Sequence, residues 1–191
     1  KGDLKEAEKL LGKTIDLAKN QGFVVLERKA SSYLSRAYAD SGDLEKALIV
    51  LEELVADLDK DDIKERLNYL NIRLDLAGIY QRLSMFAEAE IDFKYVADKA
   101  SAGLGEQHPT TLIAKNNLGN LYEQLGIYDQ AEPLLKSALD SSEDIYGVSH
   151  PQTSRIRNNL ALLFESQGNF EEAESLYRTS YKNLTSSLGL D

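Results

Sequence analysis

The stretch KNNLGNLYEQLGIYDQAE (115–132) is followed 42 residues later by RNNLALLFESQGNFEEAE (157–174). In each copy, apolar residues recur three or four positions apart, which is the spacing of one face of an α-helix. A glycine, Gly126 or Gly168, then interrupts the pattern, as expected of the left-handed residue that ends a helix. Each copy therefore predicts two helices joined by a tight turn.

The same 42-residue period runs through most of the chain. A half unit comes first, because GDLKEA (2–7) matches GDLEKA (42–47), and Ser84 stands where the other copies have a turn glycine. The recurring rows are Leu34, Leu76, Leu118 and Leu160, then Tyr38, Tyr80, Tyr122 and Phe164, and then Ala47, Ala89, Ala131 and Ala173. A fixed period of this length indicates a repeat protein, in which stacked copies share one core.

These patterns predict an all-α array of antiparallel helix pairs with about nine helices and no strands. The helices are expected near residues 3–20, 23–41, 43–58, 61–84, 86–103, 108–126, 128–146, 150–168 and 170–187. We expect one array over residues 1–191, in which 1–22 is the second helix of a truncated repeat and the later repeats are 23–60, 61–105, 106–147 and 148–191. Because Gly189 lies 42 residues after Gly147, we expect the array to continue beyond this sequence.

The order of leucine, small residue, tyrosine or phenylalanine, glycine and alanine in each unit resembles the tetratricopeptide repeat. Over residues 104–191 the chain is similar to the 42-residue kinesin light chain subtype. The motifs that carry this similarity are NNLG and NNLA, AEPLLKSAL, and the unit ends GEQHP and GVSHP. The resemblance implies a right-handed superhelix, an α-solenoid, with a concave groove lined by the first helix of each pair.

In that fold, the positions just before the packed leucine and two residues after it face the groove. The resemblance therefore implies a peptide-binding set that includes Asn116, Asn117, Asn120, Asn158 and Asn159. Arg36, Asn71, Arg82 and Arg155 are the further groove candidates in the same register. Amide side chains can donate to and accept from an extended peptide backbone, and asparagine within a helix needs some compensating role. The alternatives are that the asparagines bond between repeats and that the charged residues only solvate a helix face.

Other kinds of chemistry find little support in the sequence. The chain has no cysteine, which removes thiol nucleophiles and sulfur-ligated metals, and it has no glycine-rich phosphate loop. His108 and His150 both precede a proline in register with the repeat, which predicts a structural role at a helix start. The acidic run from Asp57 lacks the glycine and glutamate of a calcium loop. We therefore predict no enzyme, no metal and no cofactor.

The leading hypothesis is a protein–protein interaction scaffold or adaptor that binds a peptide or partner helix in the groove. The alternative is a regulatory sensor or autoinhibitory repeat domain of a larger signalling protein. The partner is expected to be a protein or peptide, because a net charge of −10 disfavours nucleic acid and no segment suits membrane insertion. Self-association through open array ends is left open, and a cytoplasmic location is expected.

Overall fold

The computed structural model describes residues 2–58 and 66–188. Within these residues the chain forms nine helices and no strand, so the prediction of an all-α fold is confirmed. The chain divides into two compact units, Lys1–Asp92 and Phe93–Asp191, and the division falls inside the fifth helix. The organisation of residues 1–191 as a single array stays a prediction.

The first unit holds four helices and the beginning of a fifth. They are α1 (Gly2–Gln21), α2 (Val24–Ser41), α3 (Leu44–Asp57), α4 (Arg66–Arg82) and the start of α5 (Phe86–Leu104). α1 packs on α2, α2 on α3, and α3 on α4. Because short turns join the first three helices, neighbouring helices run antiparallel. Residues 61–65, where α4 was predicted to begin, lie outside the described residues.

The second unit holds the rest of α5 and four further helices, α6 (Pro109–Gln124), α7 (Tyr128–Tyr146), α8 (Pro151–Ser166) and α9 (Phe170–Leu188). Here α6 packs on α7, α7 on α8, and α8 on α9. α6 also contacts α8 directly. The first helices of two successive pairs are therefore neighbours, and their side chains can form one surface.

The turns inside the helix pairs share one geometry. Gly42, Gly126 and Gly168 have φ between 74° and 86°, and Ser84 adopts the same left-handed region with φ 61°. In each turn the following residue donates to a carbonyl five residues back, as from Met85 N to Tyr80 O at 2.9 Å. Ser84 therefore does stand in for the turn glycine. α6 and α8 end two residues before the predicted ends at 126 and 168, because the left-handed residue lies outside the helix.

The core of each helix pair follows the rows read from the sequence. All four residues of the leucine row and all four of the alanine row are buried. Gly119 is needed where α6 approaches α7, because a Cβ at that position would lie 2.7 Å from Cγ of Leu135. The small residue beside the packed leucine thus allows the close approach that the sequence predicted.

The aromatic row links successive helix pairs. The hydroxyl of Tyr38 donates to Oε1 of Glu8 at 2.8 Å, and the hydroxyl of Tyr80 donates to Oε1 of Glu52 at 2.9 Å. Each bond joins the first helix of one pair to the second helix of the preceding pair. In the second unit, Nζ of Lys136 lies 5.7 Å from the ring centroid of Phe164, which provides a cation–π contact at the equivalent place.

The two histidines cap helix starts. The backbone N–H of Thr110 donates to Nδ1 of His108 at 3.2 Å, and that of Gln152 donates to Nδ1 of His150 at 3.1 Å. A proline follows each histidine at the first helical position, where its missing N–H costs nothing. The structural role predicted for both histidines is confirmed.

Candidate peptide-binding site

Two asparagines join α6 to α8. Asn116 is only 2% exposed, and its Oδ1 accepts a 2.9 Å hydrogen bond from Nδ2 of Asn159. Nδ2 of Asn116 in turn donates to Oδ1 of Asn117 at 3.1 Å. The bonding between repeats that was the alternative to ligand contact is therefore present for this pair.

The other predicted residues of the second unit lie at the surface of the same two helices. Asn117 and Asn120 of α6 are half-buried, and Arg155 and Asn158 of α8 are exposed. Within the described part of the chain, the side chains of Asn120 and Asn158 make no hydrogen bond. These residues define the α6–α8 face: Asn117, Asn120, Arg155, Asn158 and Asn159. It carries amide groups that are exposed or half-buried.

The predicted residues of the first unit lie on α2 and α4. Arg36, Asn71 and Arg82 are all exposed. Nη2 of Arg82 donates to the backbone oxygen of Ala39 at 2.9 Å and so joins α4 to α2. Burial raises the pKa of Asp75, and the charge of Arg36 lowers it in part. Arg36 of α2 and Asp75 of α4 therefore lie close enough for their charges to interact.

A row of partly or fully buried cations was not recognised in the sequence. Arg157 is 2% exposed, and its Nη2 donates to Oε1 of Glu143 at 2.7 Å. One repeat earlier Lys115 pairs with Glu106, and two repeats earlier Arg73 pairs with Asp92. The signal was available, because a cation recurs at positions 73, 115 and 157 just before the position of the asparagine pair.

Other forms of site find no support among the described residues. Asp57, which begins the acidic run considered for calcium, accepts from Nε of Arg28 at 3.0 Å, and residues 59–65 of that run lie outside the described part. No group of three or more histidine, aspartate or glutamate side chains is placed to hold a metal there. None of the described helices combines the length and the apolarity that crossing a membrane requires.

The helix pairs, turn glycines and 42-residue register define a helical-hairpin repeat protein. The family model for the tetratricopeptide repeat matches residues 65–144 and 110–186, which together exceed half of the chain. The chain belongs to the tetratricopeptide repeat family, and the predicted fold class is confirmed. Comparison with curated protein sequences finds no match.

Solved structures with the same fold include kinesin light chain-like repeats, as the sequence resemblance implied. BtubC (BKLC) from P. vanneervenii matches with a TM-score of 0.82 at 19% identity, over 96% of this chain and 74% of that one. A putative kinesin light chain of Podosopora anserina, with nearly identical TPR-like repeats, matches with a TM-score of 0.76 at 22% identity, over 97% and 89%. MamA matches with a TM-score of 0.67 at 16% identity, over 98% and 92%.

At these identities the likeness establishes the fold alone. The tetratricopeptide fold is in general a scaffold for protein–protein interaction, and proteins of this family are typically not catalytic. The prediction of an interaction scaffold agrees, at this general level, with the tetratricopeptide repeat family.

Proposed function

We propose that this protein is an interaction scaffold or adaptor that binds an extended peptide or a partner helix on the first helices of its pairs. The observation that carries the proposal is the pair of half-buried or exposed amides of Asn120 and Asn158, which have no side-chain hydrogen bond within the described residues. Asparagine disfavours helix interiors relative to alanine. Contact with a ligand would account for amides that bond no other described residue.

The division of roles among the asparagines supports the same proposal. Asn116 and Asn159 hold α6 and α8 together, so the neighbouring amides are presented on a fixed frame. A peptide backbone presents N–H and C=O groups that a side-chain amide can pair with whatever the peptide's sequence. Such a face would position an extended ligand, and the ligand's side chains would provide specificity.

Basic residues on the first helices indicate the charge of the ligand. In the second unit Arg155 is exposed beside the amides of α8. In the first unit, taken by itself, Arg36 and Arg82 are exposed on α2 and α4. An arginine can bond a carboxylate through two parallel N–H groups. We therefore expect the bound peptide to carry acidic side chains.

The test is selection of a random peptide library on the full chain, followed by titration of the enriched peptides. Changing both Asn120 and Asn158 to Ala should weaken binding by about tenfold. Asn20→Ala is the matched control, because Asn20 is an exposed asparagine of α1 outside the candidate set. Equal affinity of the double variant and the original chain would remove the α6–α8 face from the proposal.

A further inference from the structure

A second surface feature lies in the first unit, and none of its lining residues belongs to the candidate peptide-binding set. It is an open cleft of about 340 Å³ between α3, α4 and the start of α5. Its apolar lining is formed by Val55, Ala56, Leu76 and Ile91, and its polar lining by Glu52, Arg73, Tyr80, Glu88 and Asp92. The cleft therefore combines an apolar wall with an excess of carboxylates.

The charges in this cleft do not cancel. Asp92 is buried and forms an ion pair with Arg73, so these two groups neutralise one another. Glu52 and Glu88 remain, and both are exposed. Glu52 is held in place by the hydroxyl of Tyr80, which leaves its negative charge intact. Because the Arg73–Asp92 pair cancels, Glu52 and Glu88 give the cleft a net charge of about −2 at its opening.

The cleft also exposes a large apolar side chain next to these charges. Ile91 is 64% exposed although it lines the cleft with Val55. A lone exposed isoleucine is ordinary. An exposed isoleucine beside two carboxylates, in a concave site, matches a ligand side chain that has both an apolar stem and a positive end.

The second unit contains the equivalent cleft, and its charges differ. That cleft measures about 500 Å³ and is lined by α5, α6 and α7. Leu118 and Tyr122 occupy the places of Leu76 and Tyr80, 42 residues on, whereas Lys94 replaces Glu52 and Gln130 replaces Glu88. Because the repeat forms the same cleft with either set, helix packing does not require the two glutamates.

We propose that the cleft between α3, α4 and α5 is a docking site for a basic segment of a protein partner. A lysine or arginine of that segment lies with its aliphatic stem on Ile91 and Val55, and its cation lies between Glu52 and Glu88. Complementary charge of this kind contributes specificity and speeds association. The pKa of Tyr80, raised to about 12 by burial and by the neighbouring carboxylates, is consistent with the negative potential of the cleft.

The first test is a nuclear magnetic resonance titration of the full chain with the peptide acetyl-Leu-Lys-Lys-Leu-amide. Amide shifts should concentrate at Glu52, Glu88 and Ile91, and acetyl-Leu-Glu-Glu-Leu-amide should cause none there. The double variant Glu52→Lys with Glu88→Gln places the second cleft's residues at these two positions and should bind at least about tenfold more weakly. Both glutamates are exposed, so the variant should remain folded.

The second test reverses the exchange. Lys94→Glu with Gln130→Glu places glutamates at the two equivalent positions of the second cleft, and the lysine peptide should then also shift amides around residues 94 and 130. The proposal would be overturned if the lysine peptide caused the same amide shifts in both double variants as in the original chain. It would also be overturned if the shifts fell on the α6–α8 face. Equal shifts on adding calcium chloride at matched ionic strength would overturn it too, since the cleft would then be a cation site.

Discussion

Asn159 of α8 donates a 2.9 Å hydrogen bond to the buried Oδ1 of Asn116 in α6, and this bond joins the first helices of two successive repeats. The two residues are 43 positions apart, one more than the repeat period. Ser166 and Glu123 have the same separation and also bond, from Oγ to Oε1 at 2.7 Å. The stacking of α8 on α6 is thus fixed by polar contacts in the middle and at the C-terminal ends of the two helices, as well as by the apolar core.

Replacing either asparagine of this bond should lower the stability of the second unit. Asn159→Ala leaves Oδ1 of Asn116 buried without its partner, which costs about 1–3 kcal/mol. Asn116→Ala should cost a similar amount, and the double variant should cost less than the sum because the two residues share one interaction. The free energy of unfolding in urea, measured for all four proteins, gives the coupling.

Asn158→Ala is the control for this cycle, because Asn158 belongs to the same motif as Asn116 but is exposed. It should change the free energy of unfolding by less than about 0.5 kcal/mol. Strictly additive effects of the changes at Asn116 and Asn159 would show that the bond contributes nothing to stability.

A reciprocal exchange tests the left-handed turns. Ser84→Gly should stabilise the first unit by up to about 1 kcal/mol, because glycine adopts positive φ without the penalty of a Cβ. Gly126→Ser should destabilise the second unit by about 1 kcal/mol for the same reason. A Cβ on Gly126 would meet no atom within 4 Å, so backbone strain is the only cost. The melting temperatures of both variants, compared with that of the original chain, measure these effects. Changes of the same sign in the two variants would contradict the prediction.

Gly119→Ala should destabilise the second unit by about 1–3 kcal/mol, because the added Cβ overlaps Leu135 and overpacking strains the core. Leu135→Ala removes both overlapping atoms, so Gly119→Ala should cost less in a Leu135→Ala background than in the original chain. Urea unfolding of the single and double variants measures both effects.

Gly78→Ala is the matched control for Gly119→Ala. Gly78 is also helical, and a Cβ there meets no atom within 4 Å, so the change should stabilise by about 0.5–1 kcal/mol. A loss of stability at Gly78 as large as that at Gly119 would mean that overlap with Leu135 is not the cause.

The helices were predictable because each sequence signal is local and is repeated. A turn residue such as Gly42 ends a helix through its own φ, and four copies of the pattern support one another. The sequence pattern does not fix the exact helix ends, because it does not show whether the left-handed residue belongs to the helix. The division of the chain into two compact units at Asp92 was not predictable from the sequence, because the 42-residue period continues unchanged across it.

The candidate site was predictable as a set of positions but not as a set of roles. Asn116 and Asn158 occur in the same Asn-Asn-Leu motif, yet only Asn116 is buried. The difference arises because α8 covers Asn116, whereas no described helix covers Asn158. Arg157 was missed for a related reason, since a charged residue within a helix normally indicates a solvated face.

Tyr80 provides a prediction for alkaline pH. Burial, the hydrogen bond to Glu52 and the nearby carboxylates raise its pKa from 10.0 to about 12. The folded protein therefore holds this proton more tightly than the unfolded chain. The resulting stabilisation is complete below pH 10 and is lost as the pH rises from 10 to about 12. The free energy of unfolding should fall more steeply in this window for the original chain than for Tyr80→Phe.

The carboxylate contribution can be separated from that of burial. Glu52→Gln removes both the charge and the strongest acceptor beside the phenol, so the pKa of Tyr80 should fall from about 12 towards its ordinary value of 10.0. Glu53→Gln is the control, since Glu53 is exposed and does not line the cleft. The difference in tyrosinate absorbance between each protein and its Tyr80→Phe counterpart reports this one residue. An unchanged midpoint in Glu52→Gln would mean that Glu52 does not contribute to the raised pKa of Tyr80.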